Sequence, residues 1–232
     1  MENTENSSNR PLRAIRSFVK REGRLTKGQE RILAESPYLI THDAVDEMWD
    51  LDQLFGRSGA PRTLEIGFGD GMSFSNMAES DSERDFLGLE VHRPGVGRLL
   101  LDVEERALTN IRAIDYDAVH ILKNCIPDGS LECVQVFFPD PWHKKKHNKR
   151  RIIQPEFVAL IATKLQKGGR LCLATDWEPY AEHMMEVMQA APDYENSVAG
   201  FVETPIHRMP TKFEARGIRL GHGVWDLVFL KK

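Results

Sequence analysis

Cysteine is scarce in this 232-residue chain: Cys125, Cys133 and Cys172 are all there is, and no two form a C-x-x-C pair. An odd, unclustered set excludes a disulfide framework and the usual zinc clusters, and it fits a reducing cytoplasm. Long apolar runs are also missing: none approaches the ~20 residues of a membrane span. The polar start, Met1-Glu2-Asn3-Thr4-Glu5-Asn6, lacks the apolar core of a secretion signal. A cytoplasmic protein with no membrane contact is therefore expected. No internal repeat or low-complexity tract occurs. What remains is 41% hydrophobic and 28% charged, enough for one large domain, or one domain with an arm.

The net charge of −4 conceals a segregation. Residues 1–31 carry a net +4, Trp142 to Arg151 carry +6 with no acid, and the rest carries −14. An acidic body with two basic patches suggests a polyanion gripped locally. The plainer alternative is two solvated surface segments.

Residues 1 to about 36 show no sustained periodicity and read as a mobile basic arm. Thr41 is placed to cap a helix from His42 to about Phe55. Beyond the loop at Gly56–Pro61, strand and helix patterns alternate. Strands are expected at Thr63–Ile66, Asp85–Val91, Asn110–Ile114, Leu131–Phe138, Arg170–Ala174 and Gly223–Leu230. Helices are expected around Phe74–Ala78, Val96–Val103, Val119–Leu122, Pro155–Leu165 (stopped by Gly168-Gly169) and, capped by Asp176, Tyr180–Met188. This alternation implies an α/β fold, a parallel sheet with helices on both faces. Ligands of such sheets bind beyond the carboxyl ends of the strands, near the topological switch point.

The first strand runs into Glu65-Ile66-Gly67-Phe68-Gly69-Asp70-Gly71. Glycines at Gly67 and Gly69 allow a tight turn and close backbone approach to a ligand. A dinucleotide fingerprint would need glycine where the chain has Met72, which counts against NAD(P). Glu90 ends the second strand, where a carboxylate can accept both hydroxyls of a ribose. Asp117 follows the third, where an adenine amine would lie. Acids after three successive strands suit a positively charged cofactor without phosphates, such as S-adenosylmethionine, and Glu65 and Asp70 would repel a pyrophosphate. The alternative is that Glu90 and Asp117 simply cap helices.

The second half holds Phe137-Phe138-Pro139-Asp140-Pro141-Trp142, then the basic run from His143 to Arg151. The prolines stiffen a turn that aims Asp140. The run can neutralise several phosphates, and Trp142 either packs or stacks on a base. His143 and His147 have no acid or cysteine beside them to complete a metal site, so no metal is expected. Cys133 and Cys172 fall in buried strands and Cys125 lacks an activating partner, which disfavours a covalent cysteine mechanism. Asp176 follows the fifth strand, and Thr211-Lys212-Phe213-Glu214 precedes the last.

Taken together, L-E-I-G-F-G-D-G, G-L-E-V-H-R-P-G-V-G, F-F-P-D-P-W-H-K-K-K-H-N-K-R-R, T-D-W and T-K-F-E resemble the bacterial tRNA (guanine-N7-)-methyltransferases over roughly three quarters of the chain. The resemblance implies a Rossmann-like class I S-adenosylmethionine-dependent methyltransferase with a mostly parallel seven-stranded sheet, occupying residues 37–232 behind a flexible arm of residues 1–36. It implies transfer of methyl from S-adenosyl-L-methionine to N7 of guanine 46 in the variable loop of tRNA. Glu65, Gly67, Gly69, Glu90, Asp117 and Asp140 would hold the cofactor, with Asp140 catalytic. Lys144, Asp176, Thr211, Lys212, Phe213 and Glu214 would hold the guanosine. Lys145, Lys146, Lys149, Arg150 and Arg151 would meet the RNA backbone. A monomer is expected, and a homodimer is compatible. The rival readings are an NAD(P) oxidoreductase, a non-catalytic RNA-binding module, and an amino methyltransferase, whose N-P-P-Y-like turn Pro139–Trp142 only partly matches.

Overall fold

A computed structural model describes residues 17–18, 23–203 and 223–232. Seven strands form one sheet in the order β3-β2-β1-β4-β5-β7-β6. They are β1 (Arg62–Ile66), β2 (Asp85–Leu89), β3 (Ile111–Ile114), β4 (Leu131–Phe137), β5 (Leu165–Thr175), β6 (Tyr194–Asn196) and β7 (Trp225–Lys231). The first five run parallel; β7 lies antiparallel between β5 and β6. β1 is flanked by β2 on one side and β4 on the other, so the switch point lies where those chains leave the sheet.

Side-chain alternation divides the core between two faces. Leu64, Ile66, Leu87, Leu89, Val134 and Val136 join α5 (Ala118–Asn124), α6 (Pro155–Lys164) and α7 (Glu178–Ala190). Phe86, Ile111 and Ala113 join α1 (Lys27–Glu35), α3 (Met72–Ser80) and α4 (Arg93–Glu105). With the short α2 (Leu51–Phe55), these complete the α-helices among the described residues. Leu64, Phe74, Leu99, Ile121 and Ile161 are fully buried. At roughly 1.5–3 kcal/mol each, such side chains dominate what holds the layers together.

The fold agrees with the strand–helix reading and departs from it in five local places. Residues 27–35 are helix α1, not part of an unstructured arm. Thr26 and Gln29 form a reciprocal capping box, and Ile32 and Leu33 are buried against α4. Gln29 also donates to the Pro94 carbonyl at 3.0 Å, and Arg31 pairs with Glu104. The remaining arm, residues 1–16 and 19–22, lies outside the described residues. Thr41 caps no long helix: His42–Ala44 is a single 3₁₀ turn, and α2 starts afresh from Asp50, whose carboxylate accepts from Gln53 N. Gly168 and Gly169 stop no helix; α6 ends at Lys164 and both glycines lie within β5. α7 is entered through Trp177 rather than capped by Asp176. The edge strand β6 has only three residues, too few for alternation to register.

Candidate active site

Gly67, Gly69 and Gly71 all have left-handed backbone, with φ of 81°, 63° and 76°. At Gly71 a β-carbon would lie 2.6 Å from Leu99 Cβ, and at Gly95 one would lie 2.0 Å from the Gly69 carbonyl oxygen. Glycine is thus required on both sides of the contact that seats α4 against the loop.

Glu90 fixes the same loop from the end of β2. One carboxylate oxygen accepts from Gly69 N at 2.9 Å; the other accepts from Val91 N at 2.7 Å and His92 N at 2.9 Å. Asp117 caps α5, its Oδ1 accepting from Val119 N at 2.8 Å and His120 N at 3.3 Å. Asp117 is thus a helix cap, whereas Glu90 caps no helix and instead ties the glycine loop to the exit of β2. Each lines a cavity of about 220 Å³, together with Gly67, Tyr116, Ile152 and Asp140.

Asp140 reaches that cavity from the exit of β4 and is exposed. Its turn is bracketed by two non-glycine residues in left-handed conformation, Phe138 (φ 50°) and Trp142 (φ 47°). Such backbone costs on the order of 1 kcal/mol per residue and persists only where its surroundings over-determine it. Here they do. Phe138 N donates to the Ala174 carbonyl at 2.8 Å. The Trp142 indole N–H donates to the Ser17 carbonyl at 3.2 Å, and the Arg150 guanidinium sits 4.0 Å over the indole ring. Trp142 is a packing residue, not an open platform for a base. His143 meets Trp177 edge-on at 4.5 Å between ring centres, tying the loop after β4 to the loop after β5, where Asp176 is half-buried.

Three expected site residues are placed differently: Gly69 belongs to the loop held by Glu90 but is not on the cavity wall, and the other two are Glu65 and Arg151. Glu65 does not line the cavity. Its carboxyl is buried within the sheet, its Oε2 has no hydrogen-bond partner among the described residues, and burial, with Cys133 and Glu90 nearby, pushes its pKa up to about 8. Burial thus favours its uncharged form. Arg151 does not face solvent. It is 5% exposed, stacks 4.7 Å over Tyr180, and donates to the carbonyls of Pro141 at 2.9 Å and Pro179 at 3.3 Å. A guanidinium so enclosed serves the turn, not a phosphate.

Lys144, Lys145, Lys146 and Lys149 are exposed, the last three on a 3₁₀ helix that also carries the half-buried Arg150. Thr211, Lys212, Phe213 and Glu214 lie outside the described residues. Sequence reasoning missed Ser17 and Phe18, which also line the cavity and which no local pattern marks. Burial pushes the Cys125 thiol up to about 11, and its sulfur donates to the Val45 carbonyl, so no thiolate nucleophile is available there.

The cleft fits an adenosine-bearing cation: a glycine loop for close approach, acids at three strand exits, and apolar walls from Val119 and Ile152. A family profile described as a putative methyltransferase matches residues 59–227. The tRNA (guanine-N(7)-)-methyltransferase of Pseudomonas entomophila is 55% identical over 98% of this chain and 95% of its own. That of Aeromonas hydrophila is 56% identical over 97% and 95%. The chain belongs to the tRNA (guanine-N7-)-methyltransferase family. Among solved structures, the 16S rRNA methyltransferase KamB matches with a TM-score of 0.59 at 16% identity, over 80% of this chain and 95% of that one. The aminoglycoside resistance methyltransferase NpmB1 matches at 0.54 and 16%, over 79% and 92%. At that identity these two establish the Rossmann-like methyltransferase fold alone. Glu90 and Asp117 also hold the backbone that shapes the cleft.

Proposed function

We propose that this chain transfers the methyl group of S-adenosylmethionine to N7 of a guanine in tRNA, guanine 46 of the variable loop by family resemblance. The observation that carries the reading is the convergence of Glu90, Asp117 and Asp140 on one cleft at the β1/β4 switch point, beside a basic 3₁₀ helix. When bound, the cofactor supplies an electrophilic methyl on a sulfonium. The Gly67–Gly71 loop and Glu90 shape its seat, and Asp117 faces it from the head of α5.

Guanine N7 carries an in-plane lone pair and no proton, so the reaction needs no general base. What it needs is alignment and negative charge where positive charge develops on the purine. Asp140 is the acid placed for this, on a turn held rigid from both sides. Asp176, on the adjoining rim, and Glu214 are assigned to the guanine's own donors, with Lys144, Thr211, Lys212 and Phe213 completing that subsite. Lys145, Lys146 and Lys149 meet the RNA backbone. Among the described residues, no helix is long and apolar enough to cross a membrane, and no cluster of acids, histidines and cysteines is placed to hold a metal. We take the working unit to be a monomer acting in the cytoplasm, where its tRNA substrate is found.

The test is nucleoside analysis of unmodified tRNA incubated with the protein and S-adenosylmethionine. 7-Methylguanosine is expected; its absence, or methyl on another atom, overturns the reading.

A further inference from the structure

A second cavity, of about 570 Å³, opens between α5, α6 and the end of the basic 3₁₀ helix. It adjoins the cofactor cleft, since Ser17, Asp117, Val119 and Ile152 line both. Its size falls within the roughly 300–1,000 Å³ of small-ligand sites. Lys149 and Arg150 bound it on one side, and Lys123, in the last turn of α5, on another. Lys123 lies outside the basic run and had no assigned role. Phe157 and Leu160 supply an apolar wall.

The charges are unevenly committed. The Asp117 carboxylate is engaged in capping α5, and Arg151 is turned to the carbonyls of Pro141 and Pro179. Glu156 is the other acid on the lining. Lys123 and Lys149 are exposed and form no ion pair among the described residues. Two cations without an ion pair among the described residues, contributed by different elements to a partly apolar chamber, match a phosphate-linked nucleoside. Because one wall continues into the exposed lysines of the 3₁₀ helix, the occupant that uses both features is a polyanionic chain rather than a free small anion.

We propose that this cavity is a nucleotide subsite for the tRNA strand, with Lys123 contacting a phosphate as the RNA passes from the 3₁₀ helix over the adenosine end of the cofactor cleft. This rests on the assignment of tRNA as substrate. It extends the RNA footprint onto α5, which no motif indicated.

The experiment compares the full chain with Lys123→Glu and Lys123→Gln. Lys167→Glu, an exposed charge reversal in β5 at the opposite rim, serves as control. Each is titrated with unmodified tRNA across a salt series and, separately, with S-adenosylmethionine. Lys123→Glu is expected to raise the tRNA Kd roughly five- to tenfold near physiological salt, and Lys123→Gln to lower the log–log salt slope by about one. Cofactor affinity and the Lys167→Glu protein should be unmoved. Equal tRNA affinity and slope in the Lys123 variants overturn the proposal. So does an equal loss in Lys167→Glu, or a loss of cofactor affinity with tRNA binding intact. Methylation by the unaltered protein is followed in parallel. Its failure would sink the reaction, whereas the binding comparison speaks to the cavity alone.

Discussion

Arg151 holds the turn that carries Asp140: its guanidinium donates to the Pro141 carbonyl at 2.9 Å, one residue past Asp140, and to the Pro179 carbonyl at 3.3 Å at the start of α7. Lying over Tyr180, it joins the exits of β4 and β5 into one rigid rim.

Arg151→Ala would leave the Pro141 and Pro179 carbonyls without this donor and a space beside Tyr180. The expected cost is about 2–4 kcal/mol, or roughly 5–10 °C in Tm. Turnover should fall with it, because Asp140 loses its fixed direction. The salt slope of tRNA binding should not change, since this guanidinium meets no phosphate. A slope lowered by about one would restore Arg151 to the RNA-binding set.

Glu65 gives the chain a pH signature. In the folded protein its carboxyl titrates near 8, against an ordinary value of 4.5, because it is buried. The folded state therefore keeps a proton that the unfolded chain loses near its ordinary value. The resulting stabilisation is complete below the ordinary value and is lost as pH rises towards 8. Glu65→Gln keeps a neutral polar group and escapes that loss. The variant should melt above the wild type at pH 8, by on the order of a few kcal/mol, with the gap closing towards pH 5. Thermal melts across this range that show a constant gap would contradict the burial argument.

The sequence carried the sheet because its central strands are apolar runs of ordinary length separated by glycines and helix periods. It carried the cleft because loops at strand exits must bear the chemistry. It could not tell which side of a strand Glu65 faces, since residues on a strand buried on both faces show no alternation. Nor could a run of six cations reveal that the last, Arg151, turns inward; that depends on Tyr180, 29 positions later. α1 was legible in principle. Thr26-Lys27-Gly28-Gln29 is a capping-box spacing, obscured by a helix with only two buried apolar residues.

The exposed lysines of the 3₁₀ helix should behave as phosphate contacts. Replacing Lys145, Lys146 and Lys149 together with Ala should weaken tRNA binding at every sequence tested and lower the salt slope by about three. Stability should hardly change, because these side chains are exposed. Filter-binding titrations between low and moderate salt measure this directly. An unaltered slope would move the RNA elsewhere on the surface.

Asp140→Asn separates charge from shape at the reacting centre. The amide fits the same turn, so Phe138 and Trp142 should keep their conformations and Tm should hold. What disappears is the negative charge that the proposed reaction sets against the purine as it turns cationic. A group of that kind typically contributes on the order of a hundredfold or more in rate. The single-turnover rate with tRNA and cofactor both saturating should fall by at least that factor. Asp140→Ala should fall further. A near-normal single-turnover rate for Asp140→Asn would mean that the turn, and not its charge, is what the reaction uses.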